Sequence, residues 1–502
     1  MKKTQLITLF ISLLTLSAWA QTPAGKSKAP VKKQVPLDLK VKMKGVTGGY
    51  CILAHHYGDK QLIQDSVKVG PDGTMEFKDT AAVPGGIYMV FTPDRKKYFE
   101  VILTDNQKFS LETDTADFVN SMKVTGNDEN KFFYEYLVFL TAQQKKVQPL
   151  QDALAKARAD KNADSVAMLT KKISDIDSVV KQYKRDYYQK KHPETFMAKV
   201  LHLMDEPDPL PKDPVKYPND SIYGVANYWN FRNHYWDGMD FSDDRLMYTP
   251  VYASKLKFYL DKLIPQHPDS ITAACDDIIN RTRPSKELFK YTLIYTTYNY
   301  ESSKIMGYDA IFVHLVETYY RTGQVWWVGD EQMTKILNRS TQLSYSLIGK
   351  PAINLMLQDS NGVVKPLGAV NAKYTVVIFW DPTCSHCKKE VPVLKHYYDS
   401  LRTAGVSVQV YAVYSELDYK GWKAYIKEHN LNWINVCGKD AQELGTAKYY
   451  YDVYSTPTIY LLNDKKEILG KRFDVDGLQT FLNRQIMLDQ KKTAQGNNTS
   501  PH

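Results

Sequence analysis

The chain has 502 residues, which is enough for about three ordinary domains. Hydrophobic residues make up 43% of the sequence, so the chain can bury large apolar cores. The formal net charge of +9 is spread over intermixed acidic and basic residues without a long basic block. This pattern indicates a solvated surface and argues against nucleic-acid binding.

Residues 1–20 predict an export signal. Lys2 and Lys3 precede an apolar run over residues 6–16, and residues 18–20 form a small-x-small cleavage site. The alternative is a membrane anchor, but that requires about 20 apolar residues and this run is shorter. The sequence therefore predicts export to the periplasm with cleavage after Ala20.

Residues 21–36 are rich in Lys, Pro, Ala and Gln, and they predict a flexible leader. Residues 37–125 alternate between apolar and polar side chains and contain repeated turn signals such as Pro71-Asp72-Gly73. Short strands with regular turns are typical of a small antiparallel sandwich or barrel, and we take the sandwich as the prediction.

Residues 126–345 change to helical spacing. Apolar residues between Val166 and Tyr187 recur every three or four positions, and the segment from Phe132 to Ala159 has similar spacing. The two segments predict a long antiparallel helical hairpin at the start of an all-α region.

The last third of the chain contains the one pair of cysteines that are close in sequence. The apolar, β-branched run over residues 375–380 predicts a strand buried on both faces. Cys384 and Cys387 follow in a turn and a predicted helix start. Two intervening residues on a first helical turn bring the sulfurs close enough to bond, and the free N–H groups there favour a thiolate. Cys384 is therefore the predicted nucleophile and Cys387 the resolving thiol.

This segment resembles the thioredoxin superfamily, in particular the extracytoplasmic branch that includes TlpA and ResA. Trp380 stands four residues before the nucleophile, where the family has its active-site Trp. Residues 454–462 match the second signature of the family, with Pro457 as the cis-proline. The resemblance implies a substrate site formed by Thr456, Pro457 and Trp380, in which backbone groups of Thr456 meet an extended chain.

The resemblance also sets the expected architecture. Residues 346–487 correspond to the α/β thioredoxin-like fold, and residues 488–502 predict a disordered tail. The β-rich start resembles domains that precede such modules, and the aromatic, acidic stretch over residues 235–246 resembles a helical domain of unknown function found between them. The fold class is thus multidomain: an all-β sandwich, an all-α region with a long hairpin, and a thioredoxin-like domain.

Two polar residues near the cysteines give opposite indications of redox direction. ResA-like proteins carry a Glu six residues after the first Cys, and Glu390 stands there. The resemblance implies a proton acceptor for Cys387, with a solvent-exposed helix Glu as the alternative. His386 predicts a stabilised Cys384 thiolate and a more oxidising disulfide. We take the reductase direction as the prediction.

The sequence therefore predicts a thiol–disulfide oxidoreductase that exchanges disulfides with exported proteins and is supplied by a membrane electron donor. No cofactor is expected, and no Cys/His cluster with zinc spacing is present, so no metal is expected. A peroxidase would place Pro and Thr where Val377 and Asp381 stand. Cys437 is interpreted as a small buried side chain, with a third redox thiol as the alternative. A non-enzymatic envelope binding protein with a thioredoxin-like peptide platform remains the competing function.

Overall fold

A computed structural model describes residues 35–496 of the chain. The predicted export signal and nearly all of the predicted leader lie outside these residues. Within the described part, the order predicted from the sequence is confirmed: a β-rich region, a helical region and an α/β region follow one another. None of the helices between residues 35 and 496 has both the length and the apolar character needed to cross a bilayer.

The β-rich region consists of two four-stranded sheets, ordered β4-β1-β7-β8 and β3-β2-β5-β6. Alternate residues of β1, such as Leu39 and Val41, are buried and share one core with Leu53 and Val90 of the other sheet. The period of two in the sequence thus fixes which face of each strand turns inward. The strands are β1 (Asp38–Lys44), β2 (Tyr50–Tyr57), β3 (Lys60–Lys68), β4 (Thr74–Lys78), β5 (Gly86–Phe91), β6 (Tyr98–Leu103), β7 (Lys108–Asp114) and β8 (Lys123–Thr125).

The helical region begins with two long helices that pack side by side. Asn162 ends the turn between them, and its side chain accepts a hydrogen bond from the Ser165 N–H and caps the second helix. Leu154 and Ile173 share a buried cluster between the two helices. The helices are α1 (Asp128–Ala159), α2 (Ala163–Asp186), α3 (Phe196–Leu203), α4 (Asp220–Asn233), α5 (Val251–Phe258), α6 (Pro268–Arg281), α7 (Lys286–Glu301), α8 (Asp309–Leu315) and α9 (Asp330–Ser344).

The α/β region is built on a seven-stranded sheet of order β10-β9-β13-β12-β11-β14-β15. Its strands are β9 (Met356–Asp359), β10 (Val364–Pro366), β11 (Tyr374–Trp380), β12 (Val408–Tyr414), β13 (Ile434–Cys437), β14 (Thr458–Leu462) and β15 (Ile468–Phe473). Its helices are α10 (Ser385–Thr403), α11 (Tyr419–Glu428), α12 (Ala441–Tyr450) and α13 (Val475–Gly496). All seven residues of β11 are buried, because separate apolar cores cover the two faces of the sheet. β11 pairs with β12 in parallel and with β14 antiparallel, which brings the end of β11 beside the start of β14.

Helix α13 continues to Gly496, so the structure corrects the disordered tail predicted from residue 488. The physical reason lies in contacts with the sheet. The Tyr374 hydroxyl donates to Asp489 at 2.7 Å, and Lys373 pairs with the same carboxylate at 3.0 Å. Residues 497–502 of that predicted tail lie outside the described part.

The helical and α/β regions are joined through the edge strand β15. The Gly349 N–H donates to Ile468 O at 2.8 Å, and the Ala352 N–H donates to Lys466 O at 2.8 Å, so the connecting segment pairs with that edge. Lys471 of β15 is 2% exposed and forms an ion pair with Asp309 of α8. The two regions therefore share buried polar contacts.

Candidate redox site

The site begins where β11 ends. The Asp381 carboxylate accepts hydrogen bonds from the Thr383 N–H at 2.9 Å and the Thr383 hydroxyl at 2.6 Å, and the Cys384 N–H donates to Asp381 O at 3.1 Å. These bonds form a tight turn of the kind that Asp favours. Cys384 follows as the N-cap residue of α10, with extended backbone angles of −70° and 128°. The structure thus places Cys384 at the helix N-terminus, as predicted.

The Cys384 thiol is half-buried and has a lowered pKa. Burial alone would raise this pKa, but hydrogen bonds from the Thr456 side chain and from the N–H groups of Cys387 and His386 outweigh that effect. Unpaired N–H groups at a helix N-terminus stabilise a negative charge in this way. The geometry therefore favours a thiolate at Cys384.

The Cys387 thiol, in contrast, is fully buried and has a raised pKa. It is 0% exposed, and burial raises its pKa to about 12. The Asp381 N–H donates to its sulfur at 3.5 Å. Both cysteines are free thiols in this structure. The pair therefore consists of one accessible, acidic thiol and one buried thiol that holds its proton.

A loop before β14 closes the site on the other side. The peptide bond between Thr456 and Pro457 is cis. The Cys384 thiol donates a hydrogen bond to the backbone oxygen of Thr456 at 3.3 Å. This meeting follows from the sheet register, since Phe379 pairs with Thr458. The structure thus brings together Cys384, Cys387, Thr456 and Pro457.

Trp380 does not occupy the place expected of a substrate-binding residue. It is 1% exposed, and its ring lies 5.4 Å from the ring of Tyr425 on α11. Because β11 is covered on both faces, this side chain is part of the core that also contains Cys387. This burial corrects the expectation that Trp380 contacts the substrate. The side chain instead packs in the core beside Cys387.

Glu390 and His386 lie on the first turns of α10 with different surroundings. The Glu390 carboxylate is half-buried and accepts a hydrogen bond at 2.8 Å from the N–H of Val475, the first residue of α13. It is thus neither a free surface carboxylate nor hydrogen-bonded to Cys387. The His386 side chain is exposed, and its backbone N–H is among the groups that lower the pKa of Cys384.

Sequence reasoning missed two features of the site. The Asp381 carboxylate stabilises the turn, and the Asp381 backbone N–H donates to the Cys387 sulfur. The only sequence feature that indicates this turn is an Asp directly before a Pro. An open cleft of about 520 Å³ lies beside that turn. The cleft is lined by Pro382, Thr383, Lys388, Tyr414, Asp418, Gly421, Ala424, Tyr425, Glu428 and His429.

Cys437 lies apart from this chemistry. It is 3% exposed, its thiol donates to Gln358 O at 3.7 Å, and burial raises its pKa. Among residues 35–496, no group of three or more His, Cys, Asp and Glu side chains is arranged to hold a metal ion. The interpretation of Cys437 as a small buried side chain agrees with these contacts.

Three stretches of the chain match known protein families. Residues 371–468 match a family described as thioredoxin-like. Residues 37–133 and 181–342 match two families described as domains of unknown function, DUF4369 and DUF5106. The match that covers both cysteines and Pro457 is therefore the thioredoxin-like one.

Curated relatives match the same part of the chain. The thiol-disulfide oxidoreductase ResA of Bacillus subtilis is 29% identical over 121 residues, which are 24% of this chain and 64% of ResA. The sporulation thiol-disulfide oxidoreductase A of that organism is 33% identical over 95 residues, covering 19% of this chain and 55% of the relative. The chain thus spans just under two thirds of the length of ResA.

Among solved structures, a domain of a possible thiol-disulfide isomerase from Cytophaga hutchinsonii is 34% identical, covers 29% of this chain and 97% of its own, and has a TM-score of 0.26. The resemblance predicted from the residues around Cys384 and Pro457 is confirmed by the family match and by the curated relatives. The C-terminal part of the chain is a thioredoxin-like domain homologous to the ResA-type thiol-disulfide oxidoreductases.

Proposed function

We propose that this protein is a thiol–disulfide oxidoreductase that exchanges disulfides with other proteins through Cys384 and Cys387. The observation that carries the proposal is the difference between the two thiols. Cys384 is accessible and has a lowered pKa, whereas Cys387 is buried and has a pKa of about 12. A thiolate is the attacking species in disulfide exchange, so this difference supports Cys384 as the group that attacks first.

The exchange proceeds in two steps. The Cys384 thiolate attacks one sulfur of a substrate disulfide; that S–S bond breaks, a mixed disulfide forms, and the released substrate thiolate takes a proton from water. Cys387 then loses its proton and attacks the Cys384 sulfur, which releases the second substrate thiolate. The substrate has gained two electrons and become a dithiol, while Cys384 and Cys387 have become a disulfide.

The second step requires an acceptor for the Cys387 proton, because burial holds that proton tightly. Glu390 lies three residues further along α10, and residues at this spacing are neighbours on a helix surface. We assign it the acceptor role in the mixed disulfide. We assign a supporting role beside the Cys384 thiolate to His386, whose exposed side chain lies between the two cysteines in sequence.

The substrate chain docks in this proposal against the loop that holds Thr456 and Pro457. The oxygen of Thr456 faces Cys384, and it is a backbone acceptor of the kind that an extended chain uses. Support for protein disulfides as substrates comes from the relatives, which are named thiol-disulfide oxidoreductases. The predicted export signal extends the proposal to exported proteins in the periplasm.

Reduction of insulin disulfides by the purified protein with dithiothreitol tests the proposal. We expect turnover by the natural chain, none by Cys384→Ser, and natural turnover by the matched control Cys437→Ser, which removes a buried thiol outside the pair. Full activity of Cys384→Ser would instead support the peptide-binding alternative. Cys387→Ala should accumulate mixed disulfides with envelope proteins, because the second step is blocked.

The direction of exchange is proposed to be reductive, with a membrane protein as the electron donor. The redox state of Cys384 and Cys387 in cells, measured by thiol trapping, tests it. A mostly reduced pair is expected. A mostly oxidised pair would assign the protein to disulfide formation.

A further inference from the structure

A buried carboxylate lies directly before the loop that meets Cys384. Asp452 is 4% exposed, and its side-chain oxygens are fully buried. Arg339 of α9 donates to both oxygens, with Nη2 at 3.3 Å from Oδ2, and Arg472 of β15 donates to Oδ2. Arg339 comes from the helical region, whereas Asp452 and Arg472 belong to the thioredoxin-like domain. A carboxylate held by two guanidinium groups is fixed in position and orientation.

The same arginine holds a second point of the loop. Arg339 Nη1 donates to the Tyr454 hydroxyl at 3.1 Å, and that hydroxyl donates to Gln342 of α9 at 2.9 Å. The Arg339 guanidinium also lies 5.3 Å from the centre of the Tyr454 ring. Tyr454 is 73% exposed, so these contacts from α9 restrain a side chain that is otherwise open to solvent.

We propose that Arg339 is a positioning residue of the redox site, which fixes the loop that presents Thr456 to Cys384 by binding Asp452 and Tyr454. Only Ser455 separates Tyr454 from Thr456, the first residue of the cis peptide, so restraint at Tyr454 limits the freedom of Thr456. The helical region is in this way part of the scaffold of the site. The inference rests on the proposed function and adds the helical region to the parts of the chain that form the redox site.

The effect on chemistry follows from what Thr456 does. Its side chain contributes to the lowered pKa of Cys384, so loss of that contact would raise the pKa and leave less thiolate at neutral pH. Without Arg339, Asp452 keeps Arg472 as a partner, so the thioredoxin-like domain keeps its internal ion pair. The loop loses its attachment to α9, and the Thr456 groups no longer stay aligned with Cys384.

The test compares Arg339→Gln with Lys335→Gln in the full chain. Lys335 lies on the same helix and forms an exposed ion pair with Glu331 instead of a contact with Asp452, so it is the matched control. We expect Arg339→Gln to slow alkylation of Cys384 near neutral pH by about threefold, because the pKa of Cys384 rises and less of it is thiolate. The difference should vanish well above the pKa, where both proteins are fully ionised. The control should alkylate like the natural chain.

Insulin turnover gives a second readout. Arg339→Gln should raise KM more than it lowers kcat, because the docking loop is affected more than the sulfur chemistry. Arg339→Lys should recover part of the wild-type KM and kcat. Its ammonium keeps the positive charge but lacks the planar guanidinium that contacts two acceptor atoms at once. If Arg339→Gln does not fold, Tyr454→Phe removes only the hydroxyl contacts and should shift both readouts less, in the same direction.

A folded Arg339→Gln variant with the wild-type rate of Cys384 alkylation and the wild-type KM for insulin would overturn the inference. The proposed function would remain intact. Absence of insulin turnover in the natural chain would instead refute the proposed function, whatever Arg339 does to alkylation.

Discussion

The Cys384 thiol donates a hydrogen bond to the backbone oxygen of Thr456 at 3.3 Å, across 72 positions of sequence. When Cys384 ionises, it can no longer donate, and the Thr456 oxygen becomes free to accept an N–H group of an incoming chain. In the proposed exchange, ionisation of Cys384 would therefore both form the nucleophile and free the backbone acceptor for the substrate chain. This contact joins the two local motifs that define the site.

Selective alkylation of the reduced protein checks the difference between the thiols. At neutral pH we expect iodoacetamide to modify Cys384 at least about 100-fold faster than Cys387, because Cys387 is buried and ionises near pH 12. The Cys384 rate should rise with pH as the thiol ionises, and the midpoint of this rise should lie at a pH below the ordinary thiol pKa, because its pKa is lowered. Peptide mapping by mass spectrometry gives both rates. Equal rates for the two cysteines would contradict the assignment.

The residues that the sequence identified belong to local patterns. Cys384 and Cys387 derive their geometry from one helical turn, and Pro457 lies next to the strand that pairs with β11. The sequence also indicated that β11 is buried on both faces, and the same fact places Trp380 in the core rather than at the surface. The match of Trp380 to the Trp position of the family therefore did not predict which groups the side chain contacts.

Contacts between distant segments could not be predicted from the sequence. Glu390 is 85 positions from Val475, and Arg339 is 113 positions from Asp452. Each of these pairs depends on how helices dock on the finished sheet, and neither leaves a periodic pattern. The end of α13 was missed for the same reason, since the residues directly after Asp489 are polar, and the hydrogen bond between Asp489 and Tyr374 of β11 is a contact between distant segments.

Substitution can separate the proposed proton-acceptor role of Glu390 from its observed hydrogen bond with the Val475 N–H. A glutamine oxygen can still accept the Val475 N–H, so Glu390→Gln should keep the free energy of unfolding close to natural. The glutamine cannot accept a proton, so release of the mixed disulfide should slow by about tenfold or more. Glu390→Ala should lose the cap as well and unfold more easily by about 1 kcal/mol. Rapid-quench measurement of mixed-disulfide decay and thermal denaturation separate the two effects.

Lys389→Ala is the matched control for Glu390, because that neighbouring side chain is exposed. We expect natural values for both measurements. A natural decay rate in Glu390→Gln would restrict Glu390 to capping α13 and would assign deprotonation of Cys387 to another group.

The buried pair of Lys471 and Asp309 leads to a prediction about how the domains are coupled. Lys471 Nζ binds Asp309 and also donates to Ser346 O at 2.6 Å, and burial lowers the pKa of Lys471. Asp309→Leu leaves the ammonium buried without its partner, which should reduce the free energy of unfolding by about 3–5 kcal/mol. The double variant Asp309→Leu with Lys471→Met removes both charges and should recover most of that loss.

Thermal denaturation combined with limited proteolysis of the segment between α9 and β9 measures this coupling, since a chain of several domains can unfold in stages. Asp309→Leu should expose that segment to cleavage at a lower temperature than the natural chain. The exposed pair of Lys335 and Glu331 serves as a control, because its loss should cost no more than about 1 kcal/mol. A double variant as unstable as Asp309→Leu alone would mean that lost packing, rather than an unpaired charge, causes the effect. The buried pair would then contribute to the interface through its shape.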